Sequence, residues 1–343
     1  MRSPWLHKRI ANPRRAAQIA AMTQRFPEPQ MIDAGGVNLA IYEVNGDPKG
    51  ERPPIILIHG WPEIAYSWKN QIGALAQAGY RTIALDLKGF GRSDAPSDKA
   101  LYDIERLTSD LAALLDALAI DKAIFCGHDW GGSIVWSMGQ WRPQRVAGII
   151  GVCTPLRPRP PAPPITILKN RFTDKHYFVQ FQEAGAPEQL FETNPDRFFR
   201  LMFQEPAPRE RWAALVPRIY DLPGRFKSEK AALSDLIVSE KVVNTYVSAY
   251  QRSGFHGGIN LYRNIDRNWE LMAGRNEIVH APSLWIGADL DLFLPPESAD
   301  DMESLVPNLE KHVIAGCGHW VTWEKPDALN ATLLDWLKRK FST

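Results

Sequence analysis

The stretch FCGHDWGGSIVW, residues 125–136, constrains this chain more than any other. Gly127-His128-Asp129-Trp130-Gly131 has the small-x-nucleophile-x-small spacing of a nucleophile elbow, with aspartate where a serine commonly stands. Residues 123–126 form a short apolar run of buried-strand type, and residues 133–141 have helical length and apolar spacing. The pattern is strand, tight turn, helix. Glycines at 127, 131 and 132 suit a turn whose central backbone is strained and whose neighbours crowd in. Taken alone, Asp129 reads equally as the N-cap of the following helix, a common structural role.

A chain of 343 residues, 45% of them hydrophobic, has room for about two domains or for one large one carrying an insertion. Its formal net charge of +1 sets up no field that would draw it to nucleic acid or to an anionic membrane, so a small molecule is the expected partner. Cys126, Cys153 and Cys317 form no C-x-x-C and leave an odd thiol, which argues for a reducing, cytoplasmic setting. No apolar run approaches the ~18 residues that a membrane span needs. Residues 1–30 read as a basic arm, with Arg2, Lys8, Arg9, Arg14, Arg15 and Arg25 and no acid before Glu28. The arm faintly resembles a transit peptide but lacks a secretory apolar region. An amphipathic helix over 13–26 is expected, its apolar face on the chain's own core or on the second subunit of a homodimer.

From residue 37 to 154 apolar runs alternate with helical patterns, which predicts β-α-β units and a mainly parallel sheet. Strands are expected over 37–44, 54–59, 81–86, 123–126 and 146–154, and helices over 68–78, 104–118 and 133–141. TPLRPRPPAPP, residues 154–164, then crowds prolines into a segment that can be neither regular helix nor central strand. Residues 155–269 read as helical and aromatic-rich. The strand signal resumes at 282–288 and 311–315, before a final helix over 326–341. The expected plan is an α/β core in two parts, 31–154 and 270–343, with a helical lid, 155–269, inserted between them. Lys88-Gly89-Phe90-Gly91-Arg92-Ser93 lacks the third glycine and the helix start of a dinucleotide fingerprint, so it reads as a structural loop.

An elbow of this kind takes its partners in the order nucleophile, acid, histidine. His319, in Gly316-Cys317-Gly318-His319-Trp320, sits in a glycine-flexed loop just after a strand, where a base must reach back over the elbow. His312 falls inside a strand pattern, His59 precedes a loop of oxyanion type, and no His/Glu set has zinc-ligand spacing, so no metal is expected. Two acids follow the strand Trp285-Ile286-Gly287-Ala288. Asp291, later in the loop, is the better orienting acid; Asp289 is the alternative and suits a strand-end cap. In Ile58-His59-Gly60-Trp61-Pro62 the backbone N–H of Trp61 can join that of Trp130 in holding a developing negative charge, with Pro62 locking the turn.

Residues 59–96 (HGWPEIAYSWKNQIGALAQAGYRTIALDLKGFGRSDAP), with GHDWGG at 127–132 and GCGHW at 316–320, resemble the soluble epoxide hydrolases of the α/β-hydrolase superfamily. The resemblance runs from about residue 32 to residue 337 and extends into the lid. There, HYFVQFQE at 176–183 and LYRN at 261–264 are similar to the segments that supply that family's two ring-opening tyrosines, which implies this role for Tyr177 and Tyr262. It also implies that Trp130, Phe178, Phe181 and Trp320 touch substrate. The lid aromatics Phe172, Phe178, Phe181, Phe198, Phe199 and Trp212 suggest an apolar tunnel.

An aspartate nucleophile then has a reason. A serine attacking an epoxide carbon would leave an ether that water cannot readily cleave, whereas an aspartate leaves an ester whose carbonyl water can attack. On this reading His319 activates that water, Asp291 orients His319, and the tyrosines protonate the alkoxide, giving a vicinal diol from a small apolar epoxide and water without metal, flavin or nucleotide. The rival enzyme is a haloalkane or haloacid dehalogenase, which expels a halide and needs no acid. A rival of another class is a non-catalytic ligand-binding protein on the same fold.

Overall fold

The computed structural model describes residues 25–47, 49–229 and 235–341. Among these, β1 (Gln30–Asp33), β2 (Asn38–Asn45), β3 (Ile55–Ile58), β4 (Arg81–Leu85), β5 (Ala123–His128), β6 (Val146–Val152), β7 (Ser283–Ala288) and β8 (Leu309–Ile314) form one sheet. Its order is β1-β2-β4-β3-β5-β6-β7-β8. The run from β4 to β8 is parallel, while β1 on β2 and β2 on β4 are antiparallel. The chain thus has the α/β-hydrolase architecture expected of it.

Period-two alternation divides the central strands between two hydrophobic layers. Ile56, Ile58, Ile83, Leu85 and Phe125 enter one cluster; Ile55, Leu57, Ala84, Ile124 and Cys126 enter the other. Helices cover both faces, which is why these strands read as unbroken apolar runs rather than alternating ones. Burying Ile56 and Leu57 together, each fully enclosed, contributes about 3–6 kcal/mol of hydrophobic stabilisation before entropy is set against it. The parallel strands all end on the side where the elbow lies, so their following loops converge there.

Between β6 and β7 the described chain is helical, from Pro164–Phe172 to Ile265–Leu271. The longest of these helices, Glu240–Ser253, buries Val242, Val243, Tyr246 and Tyr250, and Tyr246 and Tyr250 pack on Phe199. The proline stretch before the insertion forms neither helix nor strand until Pro164.

Three local expectations need correction. β1 was not anticipated: its four residues pair at the sheet edge and their burial shows no alternation. The helix after the elbow starts at Trp130, not at 133, because Gly131 and Gly132 belong to its first turn. The helix expected over 68–78 divides into a 3-10 turn, Ala65–Trp68, and an α-helix, Lys69–Gln77. Most of the amphipathic helix expected over 13–26 lies outside the described residues; Phe26 rests on the Tyr42 and Tyr66 rings. The Lys88–Ser93 loop wraps the buried carboxylate of Asp86, which accepts from Arg92 N and the Tyr42 hydroxyl, each at 3.0 Å.

Candidate active site

Asp129 follows directly on β5 with φ 52° and ψ −118°, a backbone conformation that residues with side chains rarely adopt. The helix Trp130–Trp141 begins at the next residue, yet the Asp129 carboxylate caps none of its amides. The simple N-cap role is therefore not what this side chain does. Close approach explains the flanking glycines. A Cβ on Gly127 would lie 2.1 Å from the Gly131 carbonyl oxygen, and one on Gly131 would lie 2.1 Å from that of Ile58. Thr154 Oγ1 donates to the Asp129 carbonyl at 2.7 Å and ties the elbow to the end of β6.

Three groups of residues face the carboxylate. From the loop after β3, the Trp61 amide donates to Oδ1 at 2.8 Å. Gly60 passes so near that a Cβ there would lie 2.3 Å from the Asp129 Cβ, and the Trp61–Pro62 peptide is cis. His59 staples this loop. Its Nε2 accepts from Leu87 N at 3.0 Å, which leaves Nδ1 to donate to the Gly60 carbonyl at 2.8 Å. Burial draws its pKa down to about 4, so it is a neutral structural group at neutral pH.

The second group lies at the ends of β7 and β8. His319 Nε2 is 3.7 Å from Asp129 Oδ2, and Nδ1 is 2.8 Å from Asp291 Oδ2. Asp291 is fully buried, and its Oδ1 accepts from the amides of Phe293 and Leu294, both at 2.9 Å. Asp289 faces elsewhere: its Oδ1 accepts from Cys317 N at 3.1 Å and pins the loop that carries His319. Burial opposes charge on both His319 and Asp291, but each holds the other charged. Asp291 consequently lies below the ordinary carboxylate range and His319 well above the ordinary imidazole value.

The third group comes from the helices Tyr177–Gln180 and His256–Arg263. The Tyr177 and Tyr262 rings meet edge to face with centroids 5.5 Å apart, and Tyr262 meets Trp130 in the same way at 5.0 Å. Burial, reinforced by the Asp129 charge, lifts both hydroxyls above the usual tyrosine pKa, so both keep their protons.

Two cavities meet at Asp129, Tyr177, Tyr262 and Phe293. The larger, about 500 Å³, has Trp130 and Phe178 in its wall. The smaller, about 30 Å³, is bounded by His319, Trp61 and Trp320. Phe181 lines neither: it is fully buried against Trp61, Tyr177 and Tyr262. Phe198 and Phe199, expected in an apolar tunnel, are packed with Phe255, and Phe172 and Trp212 line neither cavity. Packing and lining both remove a ring from water, so aromatic content alone does not distinguish them.

One pair beside the site was missed in the sequence. His128 and Glu63 are both fully buried, with Nδ1 2.8 Å from Glu63 Oε2 and Nε2 2.8 Å from the His319 carbonyl. Both partners only accept, so both ring nitrogens carry hydrogen and the ring is an imidazolium. Burial works against that charge, and Glu63 outweighs it, raising the pKa to about 10. His128, Cys153 and His319 also bring donor atoms within 4.8 Å of one another, as a metal would require. The two histidines spend three of their four ring nitrogens on hydrogen bonds, which a cation there would have to break.

Comparison with known proteins agrees with this geometry. Residues 53–326 match the family described as alpha/beta hydrolase fold. Epoxide hydrolase A of Mycobacterium tuberculosis is 36% identical over 317 residues, covering 91% of this chain and 97% of its own. The chain belongs to the epoxide hydrolases of the α/β-hydrolase superfamily. A family member from Sus scrofa, bifunctional epoxide hydrolase 2, is 38% identical over 88% of this chain, but the chain spans only 54% of that protein. The crystal structure of epoxide hydrolase A from Mycobacterium thermoresistibile superimposes with a TM-score of 0.83 at 34% identity, covering 92% of this chain and 99% of that one. No helix among the described residues is long and apolar enough to cross a membrane.

Proposed function

We propose that this chain adds water to an epoxide to give a vicinal diol, through a covalent ester on Asp129. The observation that carries the reading is the placement of one carboxylate between two protonated tyrosines and a histidine–aspartate pair, at the junction of two cavities. Names of relatives support the substrate class.

Trp61 N–H holds Asp129 Oδ1, which leaves Oδ2 as the attacking atom. Attack on an epoxide carbon in the larger cavity breaks the carbon–oxygen bond and forms the ester. Tyr177 and Tyr262 both donate to the departing oxygen, and one of them transfers its proton and is left as a phenolate, since an alkoxide is far more basic than a phenolate. Before attack, the carboxylates of Asp129 and Asp291 both favour a proton on His319. Esterification removes the charge of Asp129 and with it part of that pull, so His319 yields its proton to return the phenolate to tyrosine and, as a neutral imidazole, can take a proton from water. The smaller cavity has room for such a water beside His319. Water attacks the ester carbonyl, and the negative charge develops on Oδ1, where the Trp61 amide and that of Trp130 at the helix start contribute about 3 kcal/mol each. Asp291 holds the imidazolium that forms, whose proton passes to the diol oxygen as the ester carbon–oxygen bond breaks; the acid of Asp129 then returns a proton to His319 and is a carboxylate again. The segment 155–269 acts as a lid that supplies the two tyrosines and closes the larger cavity.

His319→Gln separates the two steps. Given an epoxide that the wild-type protein turns over, this variant should open the ring and retain the product, and intact-mass measurement should show a gain equal to the whole epoxide mass on Asp129. A chloroalkane processed by a dehalogenase would add its mass less hydrogen chloride. Steady diol release by His319→Gln with no adduct would overturn the covalent role of Asp129.

A further inference from the structure

The sheet has two edges, and they are not alike. β1 is four residues long, whereas β8 pairs with β7 over its whole length without a bulge. Ser283 N donates to Asn308 O at 3.0 Å and Asp289 N to Ile314 O at 3.1 Å. A strand residue turns both its backbone groups to one side, so the even-numbered residues of β8 use theirs on β7, and Leu309, Lys311 and Val313 present theirs to the open edge. Among the described residues none donates to or accepts from those groups. An edge of this kind is a template for another strand unless a proline, a bulge or an unpaired charge guards it. β8 has neither proline nor bulge, and its one lysine is turned aside: Lys311 Nζ is 2.6 Å from Glu303 Oε1 and donates to the Ala299 carbonyl at 2.9 Å. Val313 is 42% exposed, one of three large hydrophobic side chains so exposed among the described residues.

We propose that β8 pairs antiparallel with β8 of a second copy of this chain, about a two-fold axis at Lys311, so that the two sheets become one. Outward-facing residues must stand opposite one another, which leaves few symmetric registers. A register centred on Glu310 sets two Glu310 carboxylates face to face. One centred on His312 sets Val313 against Lys311 and Glu310 against Ile314. Centred on Lys311, the register places Val313 opposite Leu309 of the second copy, which covers the exposed side chain. It also places Glu310 opposite His312 of the second copy, whose ring N–H can donate to the carboxylate. Symmetry makes each of these pairs twice. Only Lys311 meets its like, and Glu303 already holds each ammonium. The same axis sets the C-terminal helices, Pro326–Phe341, on one face of the joined sheet, where the exposed Ala328 and Ala331 beside β8 leave room for close approach. No residue of β8 lines either catalytic cavity, so both sites stay open.

Sedimentation equilibrium should give wild-type protein the mass of two chains. Val313→Asp sets a carboxylate against Leu309 of the second copy, and Lys311→Pro removes an outward N–H that the ladder with β7 does not use. Each variant should have the mass of one chain at the same concentration, and thermal unfolding reports whether it folds. Cysteine pairing reads the register. In Lys311→Cys the new thiol faces its own counterpart across the axis, with Cα atoms about 5.5 Å apart and within reach of a disulfide. Mild oxidation should give a reducible two-chain band. In His312→Cys the thiol faces Glu310 of the second copy, and the yield of that band should be at least about tenfold lower. Cys126, Cys153 and Cys317 are buried and common to both variants, so they cancel in the comparison. A wild-type mass of one chain, a two-chain mass kept by either edge variant when folded, or cross-linking no stronger at 311 than at 312 would overturn the proposal. Should both edge variants fail to fold, the wild-type mass and the comparison of 311 with 312 decide alone.

Discussion

Tyr177 and Tyr262 illustrate how much of this site depends on a proton being kept. Both hydroxyls lie in a region that disfavours phenolate, and the Asp129 carboxylate adds to that effect. Each can thus donate throughout the pH range in which Asp129 attacks. Because the two share one oxygen, Tyr177→Phe or Tyr262→Phe alone should slow ring opening by about a hundredfold and leave measurable activity, while the double variant should abolish it. Single-turnover quenching should show hydrolysis of the ester much less affected, since the diol oxygen that leaves in that step takes its proton from His319. Full activity in the double variant would remove the tyrosines from the mechanism.

The elbow works as an element only because strand and helix come unusually close. With Gly131 packed on the Ile58 carbonyl, the loop after β3 is brought near enough for the Trp61 amide to reach Asp129 Oδ1. Gly131→Ala forces the helix away from β3, since the clashing atoms are backbone and cannot rotate aside. The variant should lose about 1–3 kcal/mol of stability. Its kcat should fall by more than its folded fraction, because the Trp61 amide no longer meets the oxyanion. Thermal unfolding with active-site titration checks both; unchanged kcat per folded site would show that the separation of strand and helix does not matter.

At the scale of the whole molecule, the buried Glu63–His128 pair links the loop after β3 to the loop carrying His319, two segments more than 250 residues apart in the chain. The folded pKa of His128, about 10, lies above the ordinary value of 6.5. Its contribution to stability is therefore complete below pH 6.5 and is lost as pH rises towards 10, by up to about 1.4 kcal/mol per pH unit. His128→Asn alone should cost about 3–5 kcal/mol, since Glu63 is left buried and unpaired. The double variant Glu63→Gln, His128→Asn should be nearly neutral at pH 6 and should lack the alkaline decline. Denaturant unfolding between pH 6 and 10 reads this out, and parallel pH curves for wild type and double variant would contradict it.

The sequence by itself determined the parts whose chemistry is local. The spacing around Asp129, the glycine-flexed loop at His319 and the alternation of strands and helices are short-range patterns, and each depends on backbone geometry that a few neighbouring residues dictate. The sheet order, the edge strand β1 and the helix start at Trp130 required tertiary pairing, because four residues of mixed exposure carry no period of their own. The same holds for the choice among acids: Asp289 and Asp291 are two residues apart, and only the packed loop turns one toward His319 and the other toward Cys317. Glu63 with His128 and the fully packed Phe181 are products of long-range enclosure. No pattern along the chain signals them, since burial and pairing are decided by what arrives from elsewhere in the molecule.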